Sequence, residues 1–279
     1  MMEVKFKKNT AILKLSDGFD LANTFECGQC FRWNREPDGA YCGIVRDREV
    51  RLIRQDDCIV IENCTEEDFD AIWKSYFDLD TDYGAIRRML SEKSPSLRRA
   101  VDGIDGIRIL RQDPWEALCS FILSQNNNIP RIKGIITRLC EGFGEPCGNG
   151  YRFPAADTLA GLTAEELAPL RAGFRAKYIL DAARKVASGE VKLTALYTAP
   201  IEDCRQQLMT IYGVGSKVAE CVLLYGLHRT EAFPVDVWMK KALSGEFSDI
   251  SVPELGAYAG IAQQYIFHLT RSKARCKLA

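Results

Sequence analysis

The segment best suited to chemistry lies at residues 208–221 and reads LMTIYGVGSKVAEC. Its pattern predicts a helix that ends, a tight hairpin with two glycines, and a second helix that begins at once. Because glycine tolerates positive φ and lacks a Cβ atom, Gly213 and Gly215 would expose backbone N–H groups at the start of the second helix. Such groups bind anions, and a phosphate of a DNA backbone fits this site.

One simpler interpretation of this segment remains open, and another is excluded by its sequence. The two glycines could form nothing more than a tight turn between helices. A nucleotide-binding P-loop is excluded, because its Gly-Lys-Ser/Thr sequence does not occur here.

Two ionisable side chains accompany the hairpin. Lys217 lies on the second predicted helix, where Cys221 shares its face and Glu220 is near enough to pair with it. Further along, the Phe-Pro-Val sequence at 233–235 leads into a predicted helix with Asp236 as its N-cap. Singly, these are a solvated lysine and a capping aspartate. Combined with the hairpin, they are typical of an amine nucleophile and a partner carboxylate.

The strands and helices predicted along the rest of the chain indicate an α+β fold that would position these residues. The first 64 residues indicate an antiparallel sheet, and helical periodicity begins at Thr65. We expect an N-terminal domain over 1–112, in which helices flank the sheet, and a mostly helical domain over 113–279. The predicted strands are 11–15, 31–33, 41–45, 50–53 and 58–61. The predicted helices begin at 65 and 113 or cover 131–141, 164–170, 177–188, 201–212, 216–225, 237–243 and 255–269.

Composition restricts the possible partners. Lys plus Arg number 37 and Asp plus Glu 38, a formal net charge of −1, so any contact with nucleic acid has to be local. The two histidines are too far apart in sequence for a paired metal motif. No apolar run is long enough to predict a membrane span.

The 11 cysteines do not predict a metal site. Only Cys27 and Cys30 form a CxxC pair, and a structural zinc or an iron–sulfur cluster needs further close ligands. We expect most of these residues to be buried free thiols in a reducing compartment, cytoplasmic or nuclear rather than secreted.

The motifs together resemble the 8-oxoguanine DNA glycosylase/AP lyase family of the helix-hairpin-helix superfamily. They occur in the family's order over nearly the whole chain. The Gln-Asn-Asn-Asn-Ile run and the Val-Gly-Ser-Lys and Pro-Val-Asp elements are the most specific. The matching segments are 28–33, 110–114, 124–132, 174–178, the hairpin and 262–267.

This resemblance implies covalent chemistry on a nucleotide flipped out of duplex DNA. Lys217 would attack C1′ of the sugar and expel the base, leaving a Schiff base that permits β-elimination. For this the amine must lose its proton near neutral pH, which desolvation by the surrounding helix would promote. Asp236 would stabilise positive charge on the sugar and exchange protons.

The resemblance also implies how the damaged base is recognised. The Gly28 carbonyl would accept the N7–H that 8-oxoguanine has and guanine lacks. Gln263 would bind the Watson–Crick edge, and Phe267 and Cys221 would sandwich the ring. Phe267 could equally be an ordinary core residue.

Further residues are implied to contact the DNA itself. Asn126, in one loop with Asn127, would fill the gap in the duplex, although the asparagines could simply cap a helix. Arg131 and Arg175 would bind the orphaned cytosine. Two departures from the family concern the preference for the opposite base, namely Trp238 in place of a histidine and Phe174 in place of a tyrosine.

The resemblance implies no required cofactor or resident metal, although the hairpin carbonyls of relatives suggest a monovalent or calcium ion there. We expect the protein to be a monomer whose partner is duplex DNA with 8-oxoguanine opposite cytosine. The alternatives are a glycosylase for another damaged purine and a non-catalytic DNA-structure binder. The basic run from Arg271 to Lys277 is expected to be a solvated tail.

Overall fold

The computed structural model describes residues 2–276, and only the backbone of the last three of these. The chain forms two compact units. The first contains Met1–Gln29, Leu52–Arg111 and Arg229–Ala279, and the second contains Cys30–Arg51 and Gln112–His228. One passage between units falls at Arg111, next to the expected domain boundary. In the described part of the chain, no helix is both long enough and apolar enough to span a membrane.

The antiparallel sheet of the N-terminal region has six strands in the order β1-β2-β6-β5-β4-β3, and a short β7–β8 hairpin stands apart. Burial alternates along β2 and β5, which is the pattern of a sheet with one buried face. The strands are β1 (Met2–Phe6), β2 (Thr10–Leu15), β3 (Asn34–Arg35), β4 (Tyr41–Val45), β5 (Arg48–Gln55), β6 (Cys58–Glu62), β7 (Pro146–Cys147) and β8 (Gly150–Tyr151).

Four of the five predicted strands are confirmed, but the strand expected at 31–33 is wrong. There, buried Phe31 and Trp33 imitate strand alternation while the backbone bends. Phe31 packs edge-on against Phe121, with ring centroids 5.8 Å apart. Strand β1 was not predicted, because it is a largely exposed edge strand that pairs with β2 and in which charged residues alternate with apolar ones.

Thirteen α-helices occur in the described residues. The expected N-caps are confirmed, since Thr65 and Asp113 each accept backbone N–H groups of the following turn. The helices are α1 (Leu21–Phe25), α2 (Glu66–Asp68), α3 (Lys74–Tyr76), α4 (Tyr83–Ser91), α5 (Pro95–Asp102), α6 (Pro114–Ser124), α7 (Ile129–Phe143), α8 (Ala156–Ala160), α9 (Arg175–Ala187), α10 (Ile201–Met209), α11 (Ser216–Tyr225), α12 (Val237–Leu243) and α13 (Ala259–Cys276). A π turn over Phe69–Trp73 joins α2 to α3, and 3₁₀ turns cover Ala168–Leu170, Leu193–Tyr197 and Val252–Tyr258.

Three helix predictions need correction. The helix expected at 164–170 is a series of turns, because Pro169 lacks the N–H that a continuing helix requires. The helix expected from residue 255 begins only at Ala259, since Gly256 has φ 59° and ψ −136°. At the other end, α13 continues to Cys276 rather than ending at 269, while Lys273 of the expected solvated tail is exposed. Lys277 lies outside the described residues. The helix expected at 201–212 ends at Met209.

Ten cysteines in the described residues are thiols outside any disulfide, and seven of them are buried. This confirms the expectation of buried thiols. Burial raises the pKa of the Cys27 thiol to about 11 and that of the Cys140 thiol to about 12, above the ordinary value of 9.0.

Candidate active site

The glycine hairpin joins α10 to α11, and its two glycines have different surroundings. Gly213 has φ +81°, and a Cβ atom there would lie 2.3 Å from the ring of Tyr178. Gly215 precedes α11, and a Cβ atom there would meet no atom within 4 Å. The chain's own packing therefore requires the first glycine, whereas the second faces open space. No side chain caps the first turn of α11.

Lys217 is the second residue of α11 and is half-buried. Its Nζ lies 3.3 Å from Ser124 Oγ and 5.3 Å from the centroid of the Phe121 ring. Both partners belong to α6, which packs against α11. Neither Ser124 nor Phe121 was predicted to lie at the site, and the only signal in the sequence was the position of Ser124 directly before the Gln-Asn-Asn-Asn run.

Two further residues of α11 lie close to Lys217 along the helix. Cys221 follows Lys217 by one helical turn and is 3% exposed. Glu220 does not pair with Lys217, because its carboxylate accepts from Arg205 Nε at 2.5 Å. The Lys217 ammonium consequently has no salt bridge in the described part of the chain.

The asparagine run forms the turn between α6 and α7. Asn127 Nδ2 donates to the Leu123 carbonyl at 3.0 Å, and Asn128 caps α7 by accepting from the Arg131 N–H at 3.0 Å. Two of the three asparagines thus fix the turn. Asn126, with φ +47°, leaves its side chain exposed.

Arg175, at the start of α9, is only 3% exposed and holds the backbone of this turn. Its Nε donates to the Gln125 carbonyl at 2.7 Å, and its Nη2 donates to the Asn126 carbonyl at 2.8 Å. Its Nη1 donates to the Ala172 carbonyl at 3.2 Å. Burial, and then the charge of Arg131, lowers the pKa of Arg175. Arg131 itself is exposed.

The other unit carries Asp236 and Gln263. Asp236 is the N-cap of α12, and its Oδ1 accepts from the Met239 N–H at 2.8 Å. Gln263, on α13 and 4% exposed, donates from Nε2 to the Pro234 carbonyl at 3.2 Å. The predicted base reader is therefore tied to the segment that precedes the predicted catalytic aspartate.

Gly28 lies in the bend after α1 and has φ +94°, a conformation that favours glycine. The neighbouring Gln29 is fully buried and anchors this bend. Its Nε2 donates to the Thr24 and Arg108 carbonyls at 2.9 and 2.8 Å, and its Oε1 accepts from the Leu110 N–H at 2.9 Å. Gln29 lies in the matching segment 28–33, but this role was not predicted from the sequence.

Phe267, on α13 of the same unit, is half-buried, and its ring centroid lies 5.3 Å from the Arg271 guanidinium carbon. One unit thus supplies Gly28, Asp236, Gln263 and Phe267. The other supplies the hairpin glycines, the Asn126–Asn127 turn, Arg131, Arg175, Lys217 and Cys221. No group of three or more His, Cys, Asp or Glu side chains within the described ranges could hold a metal ion.

Two family models match the chain in succession. Residues 11–118 match the 8-oxoguanine DNA glycosylase N-terminal domain, and residues 119–248 match the HhH-GPD superfamily of base excision DNA repair proteins. An N-glycosylase/DNA lyase of Saccharomyces cerevisiae is 34% identical over 258 residues, which cover 81% of this chain and 68% of the yeast protein.

Solved structures are similar over almost the entire chain. MBOgg1, solved in complex with a low-affinity DNA ligand, has a TM-score of 0.93 and 43% identity over 98% of this chain and 99% of its own. An 8-oxoguanine glycosylase/lyase of Clostridium acetobutylicum was solved with double-stranded DNA that contains cytosine opposite 8-oxoguanine. It has a TM-score of 0.89 and 38% identity over 98% of both chains.

Proposed function

The chain belongs to the 8-oxoguanine DNA glycosylase family, and from this membership we infer that it excises 8-oxoguanine from DNA and then cleaves the strand as an AP lyase. Its substrate is duplex DNA with the damaged base opposite cytosine. An enzyme with this substrate works where DNA is kept, and we propose the cytoplasm or the nucleus.

The observation that carries the mechanism is the environment of Lys217. Its amine emerges from the first turn of α11, directly after the hairpin, beside the Ser124 hydroxyl and the Phe121 ring. An amine with no carboxylate partner in the described residues remains available to a substrate. We assign it the role of nucleophile.

The reaction follows from this assignment. The neutral amine of Lys217 bonds to C1′ while the bond from C1′ to the base breaks, and the departing base takes up a proton. Loss of the amine's proton and opening of the sugar then give a Schiff base. Removal of a proton from C2′ expels the 3′ phosphate, which is the lyase step.

Asp236 is assigned the electrostatic role. As N-cap of α12, its carboxylate is held by the Met239 N–H at the N-terminus of the helix. A fixed negative charge stabilises the positive charge that develops on the sugar when the base departs. The same carboxylate accepts and returns protons in the later steps.

Recognition of the damaged base is assigned to Gly28, Gln263, Phe267 and Cys221. A carbonyl that accepts the N7–H discriminates strongly, because guanine has no proton there and would leave the buried acceptor unpaired. The buried contacts of Gln29 support this assignment, since they fix the bend that carries Gly28.

DNA binding is assigned to the hairpin amides at Gly213 and Gly215 and to the turn that carries Asn126 and Asn127. The open space beside Gly215 supports an approach of the phosphate backbone. Contacts of Arg131 and Arg175 with the orphaned cytosine are part of the same proposal. Arg131 is exposed, whereas most N–H donors of Arg175 are already bound to carbonyl groups.

Borohydride trapping tests the nucleophile. A duplex with 8-oxoguanine opposite cytosine is incubated with the protein and borohydride, and the covalent adduct is measured. Wild type and the exposed-lysine control Lys93→Gln are expected to form the adduct, and Lys217→Gln is not. An adduct with Lys217→Gln, or none with wild type, would show that the mechanism is wrong.

Further measurements test whether Asp236 acts in catalysis rather than in DNA binding, and which damaged base is excised. Asp236→Asn is expected to lose most turnover while binding the duplex with wild-type affinity, so full activity would remove it from the mechanism. Excision on a panel of damaged purines distinguishes 8-oxoguanine from other lesions.

A further inference from the structure

Tyr212, in the hairpin directly before Gly213, is an exposed aromatic residue that the proposed mechanism does not use. Its relative exposure is 62%, so most of its ring surface faces solvent. An aromatic residue contributes to stability mainly when its surface is buried. Most of its ring therefore contributes little to the packing of the protein.

Despite this exposure, Tyr212 is held firmly by α9. Its backbone N–H donates to Asp181 Oδ2 at 2.7 Å. Its ring stands edge-on to Tyr178, with centroids 4.9 Å apart and an interplanar angle of 89°. One turn further along α9, Lys185 Nζ donates to the Thr210 carbonyl at 2.6 Å. The face of α9 formed by Tyr178, Asp181 and Lys185 thus fixes the hairpin and the direction of the Tyr212 ring.

The same face continues toward the start of α9, where Arg175 is proposed to contact DNA. Phe174, directly before Arg175, is 51% exposed and packs edge-on against Tyr178 at 5.5 Å. Three aromatic rings, Phe174, Tyr178 and Tyr212, therefore form a row that ends at the hairpin. We call these residues the aromatic row.

The chemistry beside Tyr212 indicates its ligand. The open amides around Gly215 are suited to a phosphate, and in DNA each phosphate is flanked by deoxyribose groups whose carbon-bound faces are apolar. A rigid exposed ring next to a phosphate site can bury such a face without any charge or base preference.

We propose that Tyr212 is a DNA-binding residue whose ring packs on the deoxyribose next to the phosphate held by the hairpin. This contact rests on the proposed function, since it requires DNA at the hairpin. It adds a non-ionic contact to the phosphate site, and the aromatic row keeps that contact in position.

The test measures dissociation constants for an 8-oxoguanine duplex and an undamaged duplex of the same sequence at several salt concentrations. Tyr212→Ala is expected to weaken binding of both duplexes about tenfold, which is the size of a single aromatic contact with DNA. The slope of log Kd against log salt is expected to stay at the wild-type value, because no phosphate contact is lost. Tyr212→Phe keeps the ring and is expected to bind like wild type.

Tyr197→Ala is the matched control, because Tyr197 is also an exposed tyrosine, at 47%, but lies on a 3₁₀ turn outside the hairpin. The inference is overturned if Tyr212→Ala binds like Tyr197→Ala. It is also overturned if the salt slope of Tyr212→Ala falls, since that would mean a displaced hairpin. Weak binding by Tyr212→Phe would also overturn the inference, since it would mean that the hydroxyl group rather than the ring contacts DNA. Failure of wild type to form the borohydride adduct would instead refute the proposed function.

Discussion

Replacing each hairpin glycine with alanine distinguishes the glycine that protein stability requires from the glycine that DNA binding requires. Gly213→Ala adds a methyl group 2.3 to 2.5 Å from three ring atoms of Tyr178, at a residue with φ +81°. Gly215→Ala adds the same group where nothing lies within 4 Å, in an extended backbone with φ −100°. The two variants differ by the same single methyl group, so each is the control for the other.

The expected destabilisation by Gly213→Ala has two sources. A left-handed backbone costs an alanine about 1 to 2 kcal/mol. Overpacking against a ring that is itself held by two neighbours costs about 1 to 3 kcal/mol more. The total is about 2 to 5 kcal/mol, which lowers the melting temperature of a chain of this size by about 3 to 9 °C.

Gly215→Ala is expected to change the free energy of unfolding by less than about 1 kcal/mol. Alanine is a poorer N-cap than glycine, which destabilises the folded state, but it also restricts the unfolded chain, and the two effects oppose each other. Its DNA affinity is expected to fall about tenfold, since the methyl group keeps a phosphate from the amides. In the Tyr178→Ala background, where the ring is absent, Gly213→Ala is expected to add only the backbone cost of about 1 to 2 kcal/mol relative to Tyr178→Ala alone.

The assays are urea and thermal unfolding for stability and fluorescence anisotropy with a labelled duplex for binding. The reasoning is refuted if Gly213→Ala melts within about 2 °C of wild type. It is equally refuted if Gly215→Ala loses more stability than Gly213→Ala does.

Three further predictions concern buried groups. Gln29→Ala is expected to destabilise the protein by about 2 to 4 kcal/mol, because it leaves buried backbone groups unpaired, and to reduce discrimination of 8-oxoguanine over guanine; unfolding and excision assays measure both effects. Arg175→Met is expected to cost about 3 kcal/mol by releasing the carbonyls of the asparagine turn, and an unchanged urea midpoint would contradict this. Burial raises the pKa of the Cys27 thiol to about 11 and that of the Cys64 and Cys140 thiols to about 12, so the unfolded chain loses these protons first, near the ordinary value of 9.0. The free energy of unfolding is therefore expected to fall as pH rises from about 9 toward 11, which urea titrations at a series of pH values test, with Cys27→Ala reducing the slope.

Much of the fold could be predicted because its signals are local. The caps at Thr65 and Asp113 each depend on a few adjacent residues, and α11 and α12 begin and end where the sequence predicts. Errors arose where local patterns were ambiguous. The alternation of Phe31 and Trp33 resembles a strand, yet both side chains are buried, and Phe31 packs against Phe121 on α6.

The sequence by itself determined the hairpin, the nucleophile candidate Lys217 and the N-cap Asp236, because glycine conformation and helix capping act within a few residues. Only the tertiary structure decided that Ser124 and Phe121 flank the amine, that Gln29 anchors the bend at Gly28, and that Arg175 holds the asparagine turn. Partners in these contacts are separated by up to 96 positions, as for Lys217 and Phe121 (217 − 121). Their pairing depends on how the helices and loops pack, and no local pattern encodes it.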